Sequence, residues 1–444
     1  MSGKASSPAP TWAGRRKSRL AEVFRTTIAP SLLVLVTPPA VVLFWIACTY
    51  LDGSLLRLLT AEGVAAVVDH FPKPSLAAVA IILVFAAFEL SLLKLLPGKT
   101  YNGPVSPTGH QPRYKLNGIL AWVVSHAAFF GASYGLGWFP PSIVFDHFGE
   151  LLITLSASCF VFCWFLYFKG IHAPSTSDAG ASGNVALDYF WGVELHPTLF
   201  GVNLKQLFNC RISMMGWSLT VISFAARQRL DIGHVSTSML VCSVLLVAYL
   251  FKFFYWESGY FTSLDIMHDR FGYYICWGVI AWVPGIYSIT AQYLVKHPRE
   301  LGAPLTIGLL ALGFGAIWVN YAADAQRQRV RATGGKTTVW GKPPELIHAE
   351  YTTADGKTHQ SLLLVSGFWG IARHFHYVPE LTLALAWSLP AGSSHFLPYF
   401  YLMFLTILLT DRAGRDDQRC RTKYGRFWDE YCAKVPWKIL PRIY

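Results

Sequence analysis

The run Ser31–Leu51 holds no Asp, Glu, Lys or Arg over 21 residues. As a helix rising 1.5 Å per residue it measures about 30 Å, the thickness of a bilayer's hydrocarbon core. Runs of similar character recur at Leu76–Leu96, Leu116–Phe139, Leu151–Phe168, Ile212–Ala226, Ser238–Trp256, Tyr273–Val295 and Leu301–Ala323. Two less apolar ones follow, Leu362–Leu389 and Phe396–Thr410. Lipid tolerates only helices or closed barrels, because backbone polar groups find no water there. The alternating segments of about ten residues that a barrel needs are absent from the sequence. The expected fold is therefore all-α, a polytopic membrane protein with about ten transmembrane helices.

Charge supports this reading. Only 14% of residues are charged, against about 25% in soluble domains, which excludes an ordinary soluble enzyme. The formal net charge of +12 sits in the gaps between apolar runs. It forms no stripe along one soluble face, so membrane lipid rather than nucleic acid is the expected contact. Residues 1–30 carry Lys4, Arg15, Arg16, Lys17, Arg19 and Arg25 against Glu22, the pattern of a cytosolic N-terminal segment. Residues 31–410 are then the multi-span membrane domain, and 411–444 a basic, aromatic cytosolic tail. The eight cysteines contain no C-x-x-C pair and mostly lie in apolar runs, so they read as buried, reduced thiols. No metal site is expected. On a helix, His374 and His376 would point about 200° apart, and the sequence offers no further ligand set.

Function must explain the polar residues inside or beside the runs. Glu89, His126, Lys252, Glu257 and Arg373 are ionisable groups at membrane depth, with snorkelling or helix pairing as the plain alternative. Cations also cluster at membrane edges: QRQRVR at 326–331, Arg373 with His374 and His376, and a tail rich in Arg. That tail sets Arg412, Arg415, Arg419, Arg421, Lys423 and Arg426 among Tyr424, Phe427, Trp428 and Tyr431. Guanidinium forks grip phosphate and aromatic rings stack on flat heterocycles, so these clusters suit a nucleotide as well as anionic headgroups. No G-x-G-x-x-G follows a strand, which excludes a Rossmann site. Between Tyr249 and Tyr274 a dense aromatic patch surrounds Tyr249, Glu257 and Asp265. These three are the candidate proton donor and its support. Tyr249 shares a helical face with Lys252 and Trp256, where an ammonium would stabilise a phenolate.

Several segments carry a resemblance: LLPG (95–98) with YNGP (101–104), DIMHDRFGYYICWG (265–278), LLVSGFWGIARHFHYVPE (363–380), LPYFY (397–401) and RDDQRCRTKYGRFWDEYC (415–432). In that order they resemble the sterol reductase family, which holds Δ14-, Δ24(28)- and Δ7-reductases and the membrane domain of the lamin B receptor. NCRISMMGW (209–217), KFFYWESGYF (252–261) and ARHFHYVPE (372–380) are similar to the Δ7-reductase branch in its plant-like form. At 192–198 the chain reads GVELHPT, where His196 and Thr198 depart from the family's pattern. The resemblance implies about ten membrane helices, a C-terminal half enclosing NADPH without a Rossmann fold, and a location in the endoplasmic reticulum membrane. Carried over motif by motif, it places Arg327, Arg331, Leu364, Trp369, His376, Tyr377, Asp416, Cys420, Arg421, Thr422, Lys423, Tyr424 and Tyr431 at the cofactor. His376 stands there for a frequent Asn. The implied substrate is a sterol drawn from the bilayer, a 5,7-diene reduced at C7=C8. Reduction of a Δ14 or Δ24(28) bond, or non-catalytic sterol binding, are the alternatives.

Overall fold

A computed structural model describes residues 19–444. The basic positions Lys4 and Arg15–Lys17 lie outside the described residues. Among the described ones, six helices are long and apolar enough to cross a membrane: Arg19–Tyr50, Leu76–Leu95, Phe148–His172, Thr237–Tyr255, Tyr273–Lys296 and Ala303–Ala332. Their starts are written locally. Ser75 accepts the Ala78 amide at 3.0 Å and Ser236 that of Met239 at 3.3 Å, each satisfying a donor with no partner inside its helix. Tyr273–Lys296 is π-helical at Gly278–Tyr287, around Pro284, a residue that leaves the preceding turn without a donor.

Four of the ten expected spans, Leu116–Phe139, Ile212–Ala226, Leu362–Leu389 and Phe396–Thr410, are not among these six. Leu362–Leu389 is not one span: Thr358–Leu364 is a strand, and the helix behind it, Tyr377–Ser388, has 12 residues. At about 18 Å it is too short to cross. Leu116–Phe139 narrows to Gly118–Phe130 with one π turn after it. The polar stretch Asp324–Thr358 is no simple loop, since the helix from Ala303 continues to Ala332 and Leu346–Thr352 is a strand. Thirty residues make about 45 Å of helix, longer than the hydrocarbon is thick, so its cationic end projects beyond the apolar zone.

The fold is also not purely helical. Three antiparallel hairpins occur among the described residues, and the largest pairs Leu346–Thr352 with Thr358–Leu364 over seven residues each. A short, amphipathic strand pair carries no helical period, which is why hydropathy alone missed it. This hairpin packs Ile347, Ala349, Leu363 and Val365 on Cys420, Trp428, Tyr431 and Val435. A neighbouring core joins Val330, Val339, Leu364 and Trp369. These two small cores bind the projecting end of Ala303–Ala332, the hairpin, the polar end of Phe400–Tyr424 and the helix Arg426–Lys434 into one cap. Phe400–Tyr424 runs through the expected boundary at residue 410 without a break. The change there is of composition, since residues 400–410 carry no charge and charged residues begin at Asp411.

Gly367 lets the chain turn from hairpin to helix. It adopts φ +64, and a Cβ on it would collide with the Gln326 side chain, whose Oε1 accepts the Phe368 amide at 3.0 Å. Trp369 is thereby set against the Ala303–Ala332 helix, its indole donating to the Ala323 carbonyl at 2.7 Å.

Candidate functional site

The helix Phe400–Tyr424 meets the loop before Tyr273 through matched charges. Arg412 bonds Asp265 Oδ1, Arg415 Nη1 bonds Asp269 Oδ1 at 2.9 Å, and Arg419 Nη1 donates to His268 Nε2 at 2.6 Å. Positions 412, 415 and 419 share one helical face, so three successive turns hold the loop. From behind, the buried Lys205 ammonium donates to the carbonyls of Asp265 at 2.8 Å and Ile266 at 2.9 Å, and to that of Asp269. The departing GVELHPT segment braces the same loop: Phe271 N–H donates to the Glu194 carbonyl at 2.9 Å. Gly192, at φ +91, lies so close to Gly272 that a Cβ would meet its nitrogen at 2.5 Å.

Asp416, one turn along that helix, sits between Arg419 and His374, at 2.9 Å from Arg419 Nε and 3.8 Å from His374 Nε2. Burial alone would raise this carboxyl. Burial is the largest single influence, but Arg419, His374 and His268 together outweigh it and hold Asp416 well below the usual carboxylate range. Cys420 follows at one turn and is buried. Lys423 lies 3.8 Å over the Tyr351 ring and 5.2 Å from that of Tyr424. Burial, then the neighbouring Arg419, push its ammonium down to about 8. Across from them Arg327 stacks 3.9 Å over Trp369 and pairs with Asp324 at 3.1 Å. Among the described residues the Arg331 side chain bonds only the Leu362 carbonyl, at 3.3 Å. Tyr431 donates to the Trp369 carbonyl at 3.2 Å. Leu364 packs beneath, and the His376 ring lies 5.1 Å from Trp369 and 4.3 Å from Tyr377.

Of the thirteen expected cofactor residues, eleven thus converge. Arg421 and Thr422 do not. Arg421 is exposed and reaches Asp429 at 3.6 Å, and Thr422 bonds its own helix at the Gln418 carbonyl. The reason is helical periodicity: Asp416, Cys420, Lys423 and Tyr424 share a face, and the two residues between 420 and 423 point away from it. His374 and His376 also sit in a turn, not in a helix, so the helical angle between them does not apply. Their rings are 6.0 Å apart.

The three candidate donors separate. The Tyr249 hydroxyl donates to Glu380 Oε1 at 2.6 Å, within a cage of Trp217 and Trp387 edges. Lys252 does not touch that hydroxyl. It bonds Asn320, whose amide donates to Glu380 Oε2 and to the His376 carbonyl, each at 3.0 Å. Tyr249, Lys252, Asn320 and Glu380 thus form one chain, and His376 links it to the cationic cluster. Asp265 joins through Arg412. Glu257 lies elsewhere, in a buried ion pair with Arg211. Its second oxygen takes Arg211 Nη2 at 3.1 Å and the Gly118 amide at 3.2 Å. Both of its oxygens are thus engaged by Arg211 and Gly118, which sets it between elements and apart from Tyr249 and Asp265. The sequence reading missed Glu380, although it closes the segment ARHFHYVPE. An acid starting an apolar helix was the available signal. The other ionisable residues of the runs pair between elements: Glu89 with Ser125, His126 with Ser218, and Arg373 with the carbonyls of Val435 and Pro436.

Fold and site together define a helical multi-pass membrane protein with a cationic, aromatic cluster beside a tyrosine–carboxyl pair. The description "Ergosterol biosynthesis ERG4/ERG24 family" matches residues 54–444, and the chain belongs to that family. It is 47% identical over 411 residues to 7-dehydrocholesterol reductase of Arabidopsis thaliana, covering 92% of this chain and 95% of that protein. The protein of the same name from Xenopus laevis is 34% identical, with 95% and 93% covered. Delta(14)-sterol reductase of Methylotuvimicrobium alcaliphilum is 35% identical, with 93% and 94% covered. The expected resemblance to sterol reductases is borne out.

Proposed function

We propose that this chain is an NADPH-dependent reductase of the C7=C8 bond in 5,7-diene sterols. The observation that carries the choice of bond is the 47% identity to the Arabidopsis 7-dehydrocholesterol reductase, set against 35% to a Delta(14)-sterol reductase. The sterol enters from the bilayer, in the endoplasmic reticulum membrane. Residues 411–444 and the Leu346–Leu364 hairpin face the cytosol, from which the cofactor comes.

The residues present fit a phosphorylated dinucleotide. Arg327, Arg331 and Lys423 offer cations whose charge is not fully paired, and Trp369, Tyr424 and Tyr431 offer rings for stacking. His376 Nδ1 is a buried polar atom with no partner among the described residues, as a group awaiting a ligand would be. We place the adenosine-side phosphates at Arg327, Arg331 and Lys423, and the reacting end near His376 and Tyr377. The Arg pair, able to grip a 2′-phosphate, favours NADPH over NADH.

The chemistry sets the order of events. Proton addition at C8 leaves an allylic cation shared between C7 and C5, whereas addition at C7 leaves an unassisted cation at C8. NADPH, when bound, supplies the hydride that quenches the cation at C7. Tyr249 supplies the proton: its hydroxyl turns from Glu380 to C8 once that carboxyl carries a proton of its own. The Glu380 proton then passes to the Tyr249 oxygen, so no phenolate stays buried. Asn320 and Lys252 hold Glu380 in place, while Trp217, Trp387 and the surrounding rings keep water from trapping the cation.

The deciding experiment expresses the chain in microsomes, supplies 7-dehydrocholesterol with NADPH, and identifies the sterol by mass spectrometry. Loss of the C7=C8 bond is the expected result. An untouched diene alongside reduction of a Δ14 substrate overturns the assignment in favour of the other bond.

A further inference from the structure

Cys159 and Cys163 lie one turn apart on the helix Phe148–His172, and Cys276 lies on the facing segment Tyr273–Trp277. All three are at most 2% exposed. Cys159 Sγ is 3.8 Å from Cys163 Sγ and 3.4 Å from Cys276 Sγ, and all three sulfurs lie within 4.8 Å of one another. A circle through the three has a radius of about 2.0–2.4 Å. That brackets the ~2.3 Å bond between a thiolate sulfur and a closed-shell metal ion. One central atom would therefore reach all three sulfurs without moving either helix.

We propose that Cys159, Cys163 and Cys276 form a three-sulfur site for a trivalent thiophile of the arsenite class. Charge selects the class. The polar groups beside the cluster are neutral: Ser156 with the Trp277 indole at 3.2 Å, and Thr37 with the Tyr273 hydroxyl at 3.1 Å. Among the described residues, the three sulfurs hydrogen-bond only to one another. Three thiolates around a monovalent ion leave two negative charges in an apolar interior, and around a divalent ion one. Only a trivalent centre leaves none, and uncompensated buried charge is costly. The balance is closed without redox: As(OH)₃ and three thiols give As(S–Cys)₃ and three waters, arsenic staying trivalent. Three As–O and three S–H bonds break as three As–S and three water O–H bonds form. The site lies within one turn of the loop that Arg412, Arg415 and Arg419 hold, so its occupation clamps Phe148–His172 to the entry of the next span.

The test uses the full chain in detergent, reduced with a phosphine and titrated with arsenite without oxygen. Intact-mass measurement should show one arsenic per chain, with three protons lost. Denaturation and alkylation should then find Cys159, Cys163 and Cys276 protected in the unsubstituted protein, a readout that needs no variant. Cys159→Ser, Cys163→Ser and Cys276→Ser should each weaken binding roughly 10- to 100-fold or more, while Cys432→Ser leaves it unchanged. Arsenic bound elsewhere, protection of only two of these thiols, or a Cys159–Cys276 disulfide in the anaerobic protein overturns the proposal.

Discussion

At Tyr249 the two readings of a buried phenol, packing ring or proton donor, differ by one atom. Tyr249→Phe keeps the contacts with Trp217 and Trp387 and removes the hydroxyl that meets Glu380 at 2.6 Å. Turnover should fall by roughly 10²–10⁴ with the KM for NADPH unchanged. Glu380→Gln should fall comparably, and a loss under about threefold in both would assign the proton elsewhere. Lys423 gives a pH signature. With its ammonium titrating at about 8 in the free protein, it is charged below that pH and already suited to phosphate. Above it, binding must first draw in a proton. The KM for NADPH should be flat below pH 8 and rise towards tenfold per unit above it. Lys423→Met should raise the KM throughout and remove the slope. A slope that survives the substitution would free Lys423 of this role.

Elements decide which residues of a motif act. RDDQRCRTKY is one continuous string in the sequence, but on Phe400–Tyr424 only one face meets Arg327 and Trp369. Arg421→Ala should therefore leave the KM for NADPH within about twofold, whereas Arg331→Ala should raise it roughly 10- to 150-fold, the worth of a charge-assisted phosphate contact. Steady-state titration of the two variants separates face from string. The Arg211–Glu257 pair works between elements, tying the region after Thr237–Tyr255 to the start of Gly118–Phe130. Glu257→Ala leaves the Arg211 charge buried and unpaired, a loss of about 3–5 kcal/mol. Thermal unfolding in detergent should show it, and Arg211→Met with Glu257→Leu should recover part of it. If Glu257→Ala instead keeps its stability and loses turnover, the pair belongs to the chemistry. Motif order had already pointed to most of the cationic, aromatic cluster. The roles of Arg421, Thr422 and Glu257 were not legible, because a linear motif does not say which side of a helix faces a partner.

In the whole molecule, the polar ends of Ala303–Ala332 and Phe400–Tyr424 meet in the cap with the Leu346–Leu364 hairpin, so all three must face one compartment. Protease sites placed at Gly334–Gly335 and at Asp355–Gly356 should be cut together in sealed microsomes, from the cytosolic side. Cutting of one with protection of the other would break the cap. That the chain lives in a membrane as helices follows from its charge-free runs alone, since hydrocarbon cannot solvate a free backbone and the run lengths match its thickness. Composition and motif order likewise carried the family and the cationic cluster. Three features lay beyond them: the hairpin Leu346–Leu364, the meeting of Tyr249 with Glu380 across 131 positions, and the convergence of Cys159 and Cys163 with Cys276 across more than a hundred. Hydropathy and local spacing report only on a residue's solvent and its near neighbours along the chain. Which distant side chains share a turn is set by how helices pack, and that packing decided the Tyr249–Glu380 pair and the three-sulfur cluster.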